Sequence, residues 1–204
     1  MPSSYRGLLI DWGGVLTSSL FASFGAFCES EGLAPDALAR RFAGDRASRE
    51  LLIGMETGQL EELEFERQLA TALGVDPERL IDRMFVEVVP DQAMIGAVRR
   101  ARAAGIRTGL ISNSWGNRHY DRDLLSELFD AVVISGEEGI RKPAPQMYVL
   151  GASRAGIPPA ECVYVDDLQF NLVPAAELGM ATVQHVTAAQ TIAELERVLA
   201  VPLA

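Results

Sequence analysis

The chain contains very little cysteine and lysine, and both scarcities are informative. Its only two cysteines, Cys28 and Cys162, lie far apart and lack metal-ligand spacing, so we expect neither a disulfide framework nor a cysteine metal site. We interpret both as small buried apolar residues. Of the 18 Lys and Arg residues, Lys142 is the only lysine. A composition that avoids lysine so strongly indicates that Lys142 does something that arginine cannot.

Positive charge and long apolar runs are also scarce. The 18 Lys and Arg residues face 28 Asp and Glu residues, which gives a formal net charge of −10. This is the wrong sign for binding nucleic acid or an anionic membrane. The longest stretch without formal charge, residues 12–28, is broken by Gly, Ser and Thr, so we expect no membrane span or signal peptide. Together with the few cysteines, this favours a cytoplasmic protein.

The length and the apolar content predict one folded unit with a modest insertion. The chain has 204 residues, of which 49% are hydrophobic, enough for a substantial core. Short apolar runs of strand length occupy residues 7–10, 106–111, 131–134, 162–165 and 181–184. Helical patterns lie between or after them at 92–104, 144–155, 172–178 and 191–200. This alternation predicts a Rossmann-like α/β fold, an open parallel sheet with helices on both faces.

One long segment interrupts the alternation. Residues 17–89 show no convincing strand and instead carry helical patterns at 20–31, 34–43, 46–55, 60–73 and 77–88. In the last of these, Asp76-Pro77 is typical of a helix cap followed by proline at the first helical position. The segment is too long for a loop. We therefore predict a core domain formed by residues 1–16 and 90–204, with an inserted all-helical cap domain at 17–89.

Polar side chains stand where four of the predicted strands end. Asp11 follows the first strand, Ser112-Asn113 the second, Ser135 the third and Asp166-Asp167 the fourth, with Lys142 shortly after the third. In an open parallel sheet, ligands bind beyond the carboxyl ends of the strands. Carboxylates without a His or Cys ligand suit a hard cation such as magnesium. A lysine and a serine beside that cation suit a phosphoryl oxygen, and a nucleophilic carboxylate there can form an aspartyl-phosphate.

Four sequence motifs resemble those of a known enzyme superfamily. They are Asp-Trp-Gly-Gly-Val-Leu from residue 11, Leu-Ile-Ser-Asn from 110, Gly-Ile-Arg-Lys-Pro-Ala-Pro from 139 and Val-Tyr-Val-Asp-Asp-Leu-Gln-Phe-Asn from 163. In order and spacing they resemble the motifs of the haloacid dehalogenase superfamily, which also places a helical cap between its first two motifs. Within it, the chain is most similar to the branch of the soluble epoxide hydrolase phosphatase domain and glucose-1-phosphatase-like enzymes.

The resemblance implies a role for each matching residue. Asp11 would be the nucleophile and a magnesium ligand, and Gly13 would offer its backbone carbonyl to the metal. Ser112 and Asn113 would hold the phosphoryl oxygens, and Lys142 would neutralise both the phosphoryl group and Asp11. Asp167 would be the main acidic metal ligand of the fourth motif, with Asp166 and Asn171 next to it or supporting it from behind.

The chain departs from the usual phosphatase pattern at one position. Most phosphatases of this superfamily carry a second aspartate, the general acid, two residues after the nucleophile, where this sequence has Gly13. A positioned general acid is typically worth about 10²- to 10⁴-fold in rate. Candidate substitutes for this acid are His119, Tyr120 and carboxylates of the cap.

Three functions follow from these observations. The first is a magnesium-dependent phosphatase that acts on a small phosphorylated metabolite, slowed by the missing acid. The second is a 2-haloacid dehalogenase, which also lacks the second aspartate but leaves Asp166-Asp167 unexplained. The third is a binding or regulatory module that has kept the fold. The resemblance also leaves open a homodimer that pairs through the cap.

Overall fold

The computed structural model describes residues 5–116 and 120–204. Its centre is a five-stranded parallel sheet with the strands β1 (Gly7–Ile10), β2 (Arg107–Ser112), β3 (Ala131–Ile134), β4 (Cys162–Asp166) and β5 (Ala181–Gln184). The strand order is β3-β2-β1-β4-β5. Because β1 is central and pairs with both β2 and β4, the residues that follow these three strands meet at one edge of the sheet.

Helices cover both faces of this sheet. They are α6 (Gln92–Ala103), α7 (Arg122–Leu128), α8 (Ser135–Glu138), α9 (Pro145–Ala155), α10 (Gln169–Glu177) and α11 (Ala188–Leu199). Alternate residues of β1 belong to different hydrophobic clusters, because successive strand residues point to opposite faces. Leu8 and Ile10 pack with residues of α6, α7 and α11, whereas Leu9 packs with residues of α9 and α10. The predicted Rossmann-like fold is confirmed.

Five further helices lie between β1 and β2. They are α1 (Leu20–Ser30), α2 (Ala37–Gly44), α3 (Arg46–Glu56), α4 (Glu62–Leu73) and α5 (Leu80–Met84). Their apolar side chains form a third hydrophobic cluster, built around Phe24, Phe65 and Leu69 and joined from β2's side by the half-buried Trp115. A single antiparallel bridge between Thr17 and Pro90 marks where the chain leaves and re-enters the sheet region. The division into two domains at residues 17 and 89 stays a prediction.

The predicted helix at 77–88 is wrong in extent. Helix α5 covers only Leu80–Met84, and Asp76 does not cap it. Instead, Asp76 Oδ1 accepts a hydrogen bond from the backbone N–H of Glu78, which stabilises a local turn in place of a helix. Arg79 then has a φ of 50°, in the left-handed region that a right-handed helix cannot include.

Other element boundaries differ by smaller amounts. Helix α2 starts at Ala37, after Pro35, and helix α10 starts at Gln169 although Pro174 lies within it. Helix α7 was not predicted from the sequence; its Asp121 accepts hydrogen bonds from the backbone N–H groups of Asp123 and Leu124. An aspartate followed by a short apolar pattern is an N-terminal signal for a helix. Within the described residues, no helix has the length and apolar content to cross a membrane.

Gly58 joins the inserted helices to the sheet region through a close backbone contact. Its φ is 67°, and a Cβ at this position would lie 2.5 Å from the carbonyl oxygen of Gly136. Gly74 has a similar φ of 75°, but a Cβ there would have no neighbour within 4 Å. The two positions therefore separate the cost of the backbone conformation from that of the contact.

We expect Gly58→Ala to lower the free energy of unfolding by about 2–4 kcal/mol, because backbone strain adds to a steric clash. The matched control Gly74→Ala should cost about 1 kcal/mol, since strain acts there alone. Urea unfolding of both variants measures the difference. Equal losses in the two variants would show that the Gly58 contact with Gly136 is unimportant.

Candidate functional site

Asp11 stands at the centre of the carboxyl edge, directly after β1. Its side chain is buried, with the residue 7% exposed. Its Oδ1 atom accepts a hydrogen bond from the backbone N–H of Trp12 at 2.7 Å and lies 2.7 Å from the Nζ atom of Lys142. Among the described residues, no hydrogen-bond donor contacts Oδ2. The carboxylate is therefore held by one oxygen and presents the other.

Lys142 is fully buried between two carboxylates. Its Nζ atom lies 2.7 Å from Asp11 Oδ1 and 2.7 Å from Asp166 Oδ2. Burial alone would lower the pKa of Lys142, but the two carboxylates outweigh it and raise that pKa above its ordinary value. The ammonium group thus stays charged and links the residue after β1 to the last residue of β4. A compact ammonium fits between two carboxylates where a planar guanidinium would need more room.

Asp166 is surrounded by hydrogen-bond donors of the protein. Its Oδ2 accepts from Lys142 Nζ and from the Tyr164 hydroxyl at 2.5 Å, and its Oδ1 accepts from the backbone N–H of Leu168 at 2.9 Å. The side-chain amide of Asn171 donates to both oxygens at 3.0 and 3.1 Å. Burial raises the pKa of Asp166, but Lys142 and these hydrogen bonds lower it below its ordinary value overall. Asp166 is therefore better placed to orient Lys142 than to give an oxygen to a metal.

Asp167 is half-buried and faces the loop after β1. A Cβ at Gly14, whose φ is 77°, would lie 2.7 Å from Asp167 Oδ2. Gly14 thus leaves the space that the carboxylate occupies, and glycine is required there for both conformation and room. Burial and the neighbouring charge of Asp166 raise the pKa of Asp167 to about 6. A cation beside this carboxylate would relieve both effects.

The three carboxylates form a group that suits a hard cation. Asp11, Asp166 and Asp167 each offer an oxygen, and these oxygens lie within 4.8 Å of one another. Because protein donors already bind both oxygens of Asp166, the carboxylate oxygens left for a cation are those of Asp11 and Asp167. The backbone carbonyl of Gly13, two residues after Asp11, is the third predicted ligand. One or two carboxylates with several waters is the usual protein site for magnesium. The residues present therefore fit this ion.

Ser112 and Asn113 reach the same edge but are engaged by protein groups. The Ser112 hydroxyl lies 2.8 Å from the Tyr120 hydroxyl. The Asn113 side chain pairs with the backbone of Lys142: its Oδ1 accepts from the Lys142 N–H at 2.8 Å and its Nδ2 donates to the Lys142 carbonyl at 3.2 Å. This side chain thus fixes the position of Lys142, a role that the sequence did not reveal.

Tyr120 and His119 were predicted as possible substitutes for the general acid that is missing at Gly13. Burial raises the pKa of the Tyr120 phenol above its ordinary value, so the group stays protonated, and His119 lies outside the described residues. At Gly13, a Cβ would lie 2.6 Å from Leu20 Cδ1. The side chain of Leu20 therefore fills the space where an acidic side chain at position 13 would start.

Glu56 is a buried carboxylate that the sequence analysis did not single out among the acidic residues of the insert. Only 5% of the residue is exposed, and its Oε2 lies 2.6 Å from Arg141 Nε. Its backbone carbonyl accepts a hydrogen bond from the Ser135 hydroxyl. Burial raises the pKa of Glu56 to about 7, although Arg141 and Lys142 act to lower it. No local pattern distinguishes it, because its burial depends on how α3 meets the sheet.

Comparison with known proteins agrees with this geometry. A family model described as haloacid dehalogenase-like hydrolase matches residues 5–179. Bifunctional epoxide hydrolase 2 of Rattus norvegicus is 30% identical over 115 residues, which cover 53% of this chain and 21% of that protein. Glyceraldehyde 3-phosphate phosphatase of Methanopyrus kandleri is 30% identical over 129 residues, covering 57% of this chain and 55% of that protein. The chain thus matches only a fifth to about half of the length of these relatives.

Solved structures share the fold over most of the chain. One is a haloacid dehalogenase family enzyme from Bacteroides thetaiotaomicron in complex with magnesium and inorganic phosphate. It superposes with a TM-score of 0.67 at 21% identity, covering 89% of this chain and 94% of that one. At this identity the likeness concerns the fold.

The buried Glu56 predicts a specific pH dependence of stability. Its pKa in the folded state, about 7, lies above the ordinary value of 4.5, so folding takes up a proton between these pH values. The contribution of Glu56 to stability is therefore present below about pH 4.5 and is lost as the pH rises through about 7.

Glu56→Gln removes this titration, so the stability of the wild type relative to the variant should fall between pH 5 and pH 8, by up to about 3 kcal/mol. Chemical unfolding of both proteins at several pH values measures this difference. A constant difference across the range would contradict the raised pKa of Glu56.

Proposed function

Because this chain belongs to the haloacid dehalogenase-like hydrolases, a family of enzymes, we propose that it is a magnesium-dependent phosphatase that cleaves a small phosphate monoester through an aspartyl-phosphate intermediate. One observation carries the proposal. The buried ammonium of Lys142 contacts one oxygen of Asp11, while Asp11 and Asp167 line the same cavity and offer oxygens within 4.8 Å of each other. This is the charge arrangement that attack on a phosphoryl group needs.

The proposed reaction has two steps at phosphorus. In the first, an oxygen of Asp11 attacks phosphorus while the bond from phosphorus to the ester oxygen breaks. The electron pair of that bond leaves with the alcohol oxygen, which takes up a proton from water. In the second, the oxygen of a water molecule attacks the same phosphorus, this water gives up a proton to the solvent, and the bond to Asp11 breaks with its electron pair on the Asp11 oxygen. The products are the alcohol, inorganic phosphate and the original carboxylate.

The residues around Asp11 have distinct roles in this proposal. Lys142 offsets the negative charge of Asp11 and of the phosphoryl oxygens, so that one anion can approach another. Asp166 and Asn113 hold Lys142 in place, through its Nζ atom and its backbone respectively. In this proposal Ser112 and Asn113 hold the phosphoryl oxygens, and Asn113 lines the cavity together with Asp11 and Lys142. Asn171 and Tyr164 orient Asp166 from behind.

Magnesium would be held by Asp11, the carbonyl of Gly13 and Asp167. When bound, the ion supplies positive charge to the phosphoryl oxygens. Two comparisons support a magnesium-dependent phosphatase. The Methanopyrus kandleri relative is named a phosphatase, and the structurally similar Bacteroides thetaiotaomicron enzyme was solved with magnesium and inorganic phosphate. Cytoplasmic location and pairing into a homodimer stay predictions.

A 2-haloacid dehalogenase is the second candidate, favoured by Gly13. In that reaction the aspartate displaces halide from carbon without a metal. The close carboxylates of Asp166 and Asp167 speak against it, because without a cation they would repel the carboxylate of the substrate. Chloride release from 2-chloropropionate tests this candidate directly.

The first test is hydrolysis of p-nitrophenyl phosphate with and without magnesium. This substrate has a good leaving group and needs little general acid, which suits a protein with Gly13. We expect turnover that requires magnesium and that Asp11→Asn lowers by at least about 10³-fold. The control Asp123→Asn changes an exposed carboxylate on α7 and should retain full activity. Absence of turnover in a folded, metal-binding wild type would refute the phosphatase proposal.

The close approach of Leu20 to Gly13 predicts what is needed to restore an acid at position 13. We expect Gly13→Asp with Leu20→Ala to raise the rate on an alkyl phosphate, whose leaving oxygen needs a proton, by about 10²-fold or more relative to p-nitrophenyl phosphate. Gly13→Asp alone should gain less, since Leu20 Cδ1 lies 2.6 Å from the new Cβ. Leu20→Ala alone is the control. An unchanged ratio of the two substrates in the double variant would show that position 13 cannot host the acid.

A further inference from the structure

A cavity of about 460 Å³ opens directly onto the proposed phosphate site. Asp11, Asn113, Lys142 and Asp167 line it on the sheet side. Residues of helices α1, α2 and α3 line it on the other side. The volume lies within the range of ligand pockets in proteins, about 300–1,000 Å³. Its position makes it the space for whatever group is esterified to the phosphate.

Aromatic side chains form a substantial part of the walls of this cavity. They are Phe21, Phe24, Phe42, Trp115 and Phe170. Trp115 packs against Phe24 and Phe42, with ring centroids 5.0 and 6.1 Å away, so this part of the wall is a connected aromatic surface. Phe21 on α1 and Phe170 on α10 are 56% and 55% exposed, which makes the rim of the cavity apolar as well.

Aliphatic side chains of the inserted helices complete the apolar wall. Leu20, Leu38 and Leu52 come from α1, α2 and α3 respectively. Two charged side chains of the inserted segment line the cavity within the part of the chain that the structure describes, Asp36 just before α2 and Glu56 on α3, and both have partners. Asp36 pairs with Arg40 at 3.0 Å, and Glu56 pairs with Arg141 at 2.6 Å. On the side of the inserted helices the wall thus offers mainly carbon surface, and the other polar side chains of the lining lie on the sheet side, near the proposed phosphate site.

We propose that the substrate is the phosphate monoester of an apolar alcohol or phenol, whose alkyl or aryl group occupies this cavity. The inference rests on the proposed phosphatase function and adds the class of the leaving group. A sugar phosphate would bring several hydroxyls against Phe, Trp and Leu side chains, where they lose hydrogen bonds to water without replacement. An alkyl or aryl group loses nothing comparable and gains from leaving water.

The expected gain in affinity for each added methylene follows from the transfer of apolar surface out of water. Each buried methylene contributes a factor of about four to affinity. A substrate that lengthens by four methylenes should therefore bind up to about 10²-fold more tightly, until the cavity is full. Because these contacts are remote from phosphorus, they should act mainly on KM and leave kcat nearly constant.

The kinetic test uses 4-alkylphenyl phosphates from 4-methyl to 4-hexyl, in which the leaving oxygen keeps its acidity while the apolar group grows. We expect kcat/KM to rise about fourfold per methylene and then level off. Glucose 1-phosphate and fructose 1-phosphate should give values below that of the shortest aryl ester. A flat series, or sugar phosphates that outperform the hexyl compound, would overturn the inference.

A pair of matched variants assigns the effect to the cavity. Leu52 lines it, whereas Leu63 on α4 is 80% exposed and lies away from it. Leu52→Ala should reduce the gain from the longest alkyl group by about tenfold through a higher KM, since it removes part of the apolar wall. Leu63→Ala should not change the series. Equal behaviour of both variants would show that the alkyl group binds elsewhere.

Binding without turnover separates this inference from the proposed function. Butyl-, hexyl- and octylphosphonate cannot be hydrolysed at the phosphorus–carbon bond, and their Kd values follow from tryptophan fluorescence in the presence of magnesium. If turnover is absent but Kd falls with chain length, the phosphatase proposal fails while the apolar ligand class stands. If p-nitrophenyl phosphate is hydrolysed and Kd is independent of chain length, the substrate class fails alone.

Discussion

The contact of the Lys142 ammonium with two buried carboxylates is the interaction on which the rest of the site depends. Without that positive charge, Asp11 and Asp166 would be two like charges side by side in a buried environment, which is strongly unfavourable. The contact requires that β1 and β4 be neighbours, and the sheet order provides this. It also requires that the loop carrying Lys142 be held in place, which the paired hydrogen bonds with Asn113 achieve. Residues from three strand ends thus become one unit, in which each group is oriented by the next.

The two halves of the cavity contribute different chemistry. The edge of the sheet supplies charge, through Asp11, Lys142 and Asp167, while the inserted helices supply aromatic and aliphatic carbon. Three contacts join these halves: Gly58 packs on Gly136, the Ser135 hydroxyl donates a hydrogen bond to the backbone carbonyl of Glu56, and Arg141 pairs with the Glu56 side chain. Arg141 directly precedes Lys142 in the sequence. The ion pair between Arg141 and Glu56 of the inserted helices therefore lies next to the lysine that binds Asp11 and Asp166. The position of the apolar wall and that of the phosphate site are therefore linked through one short loop.

Much of this arrangement was predictable, and the reasons for the failures are physical. The strand ends predicted that Asp11, Ser112, Asn113, Asp166 and Asp167 share one edge, because parallel strands bring their carboxyl ends together. The extent of α5 was wrong since Asp76 hydrogen-bonds to the local backbone and Arg79 adopts a left-handed conformation. Local patterns also did not reveal that the side chains of Asn113 and Asp166 both bind Lys142, a residue distant from each in sequence, and their predicted contacts with ligands stay predictions. Glu56 could not be found in advance, as its burial arises only where α3 meets the sheet.

The sequence by itself determined the class of fold, the order of the elements and the identity of the charged groups at the sheet edge. These follow from local apolar patterns and from the identity of the motif residues, and neither depends on tertiary structure. Tertiary structure alone decided which oxygen of Asp11 is held, which carboxylate is already satisfied, and that Leu20 fills the space beside Gly13. It also brought Phe21, Phe42, Trp115 and Phe170 around one cavity, although they come from four separate segments. Contacts between distant segments depend on packing angles and on a few ångströms of separation, and no local pattern in the sequence encodes those distances.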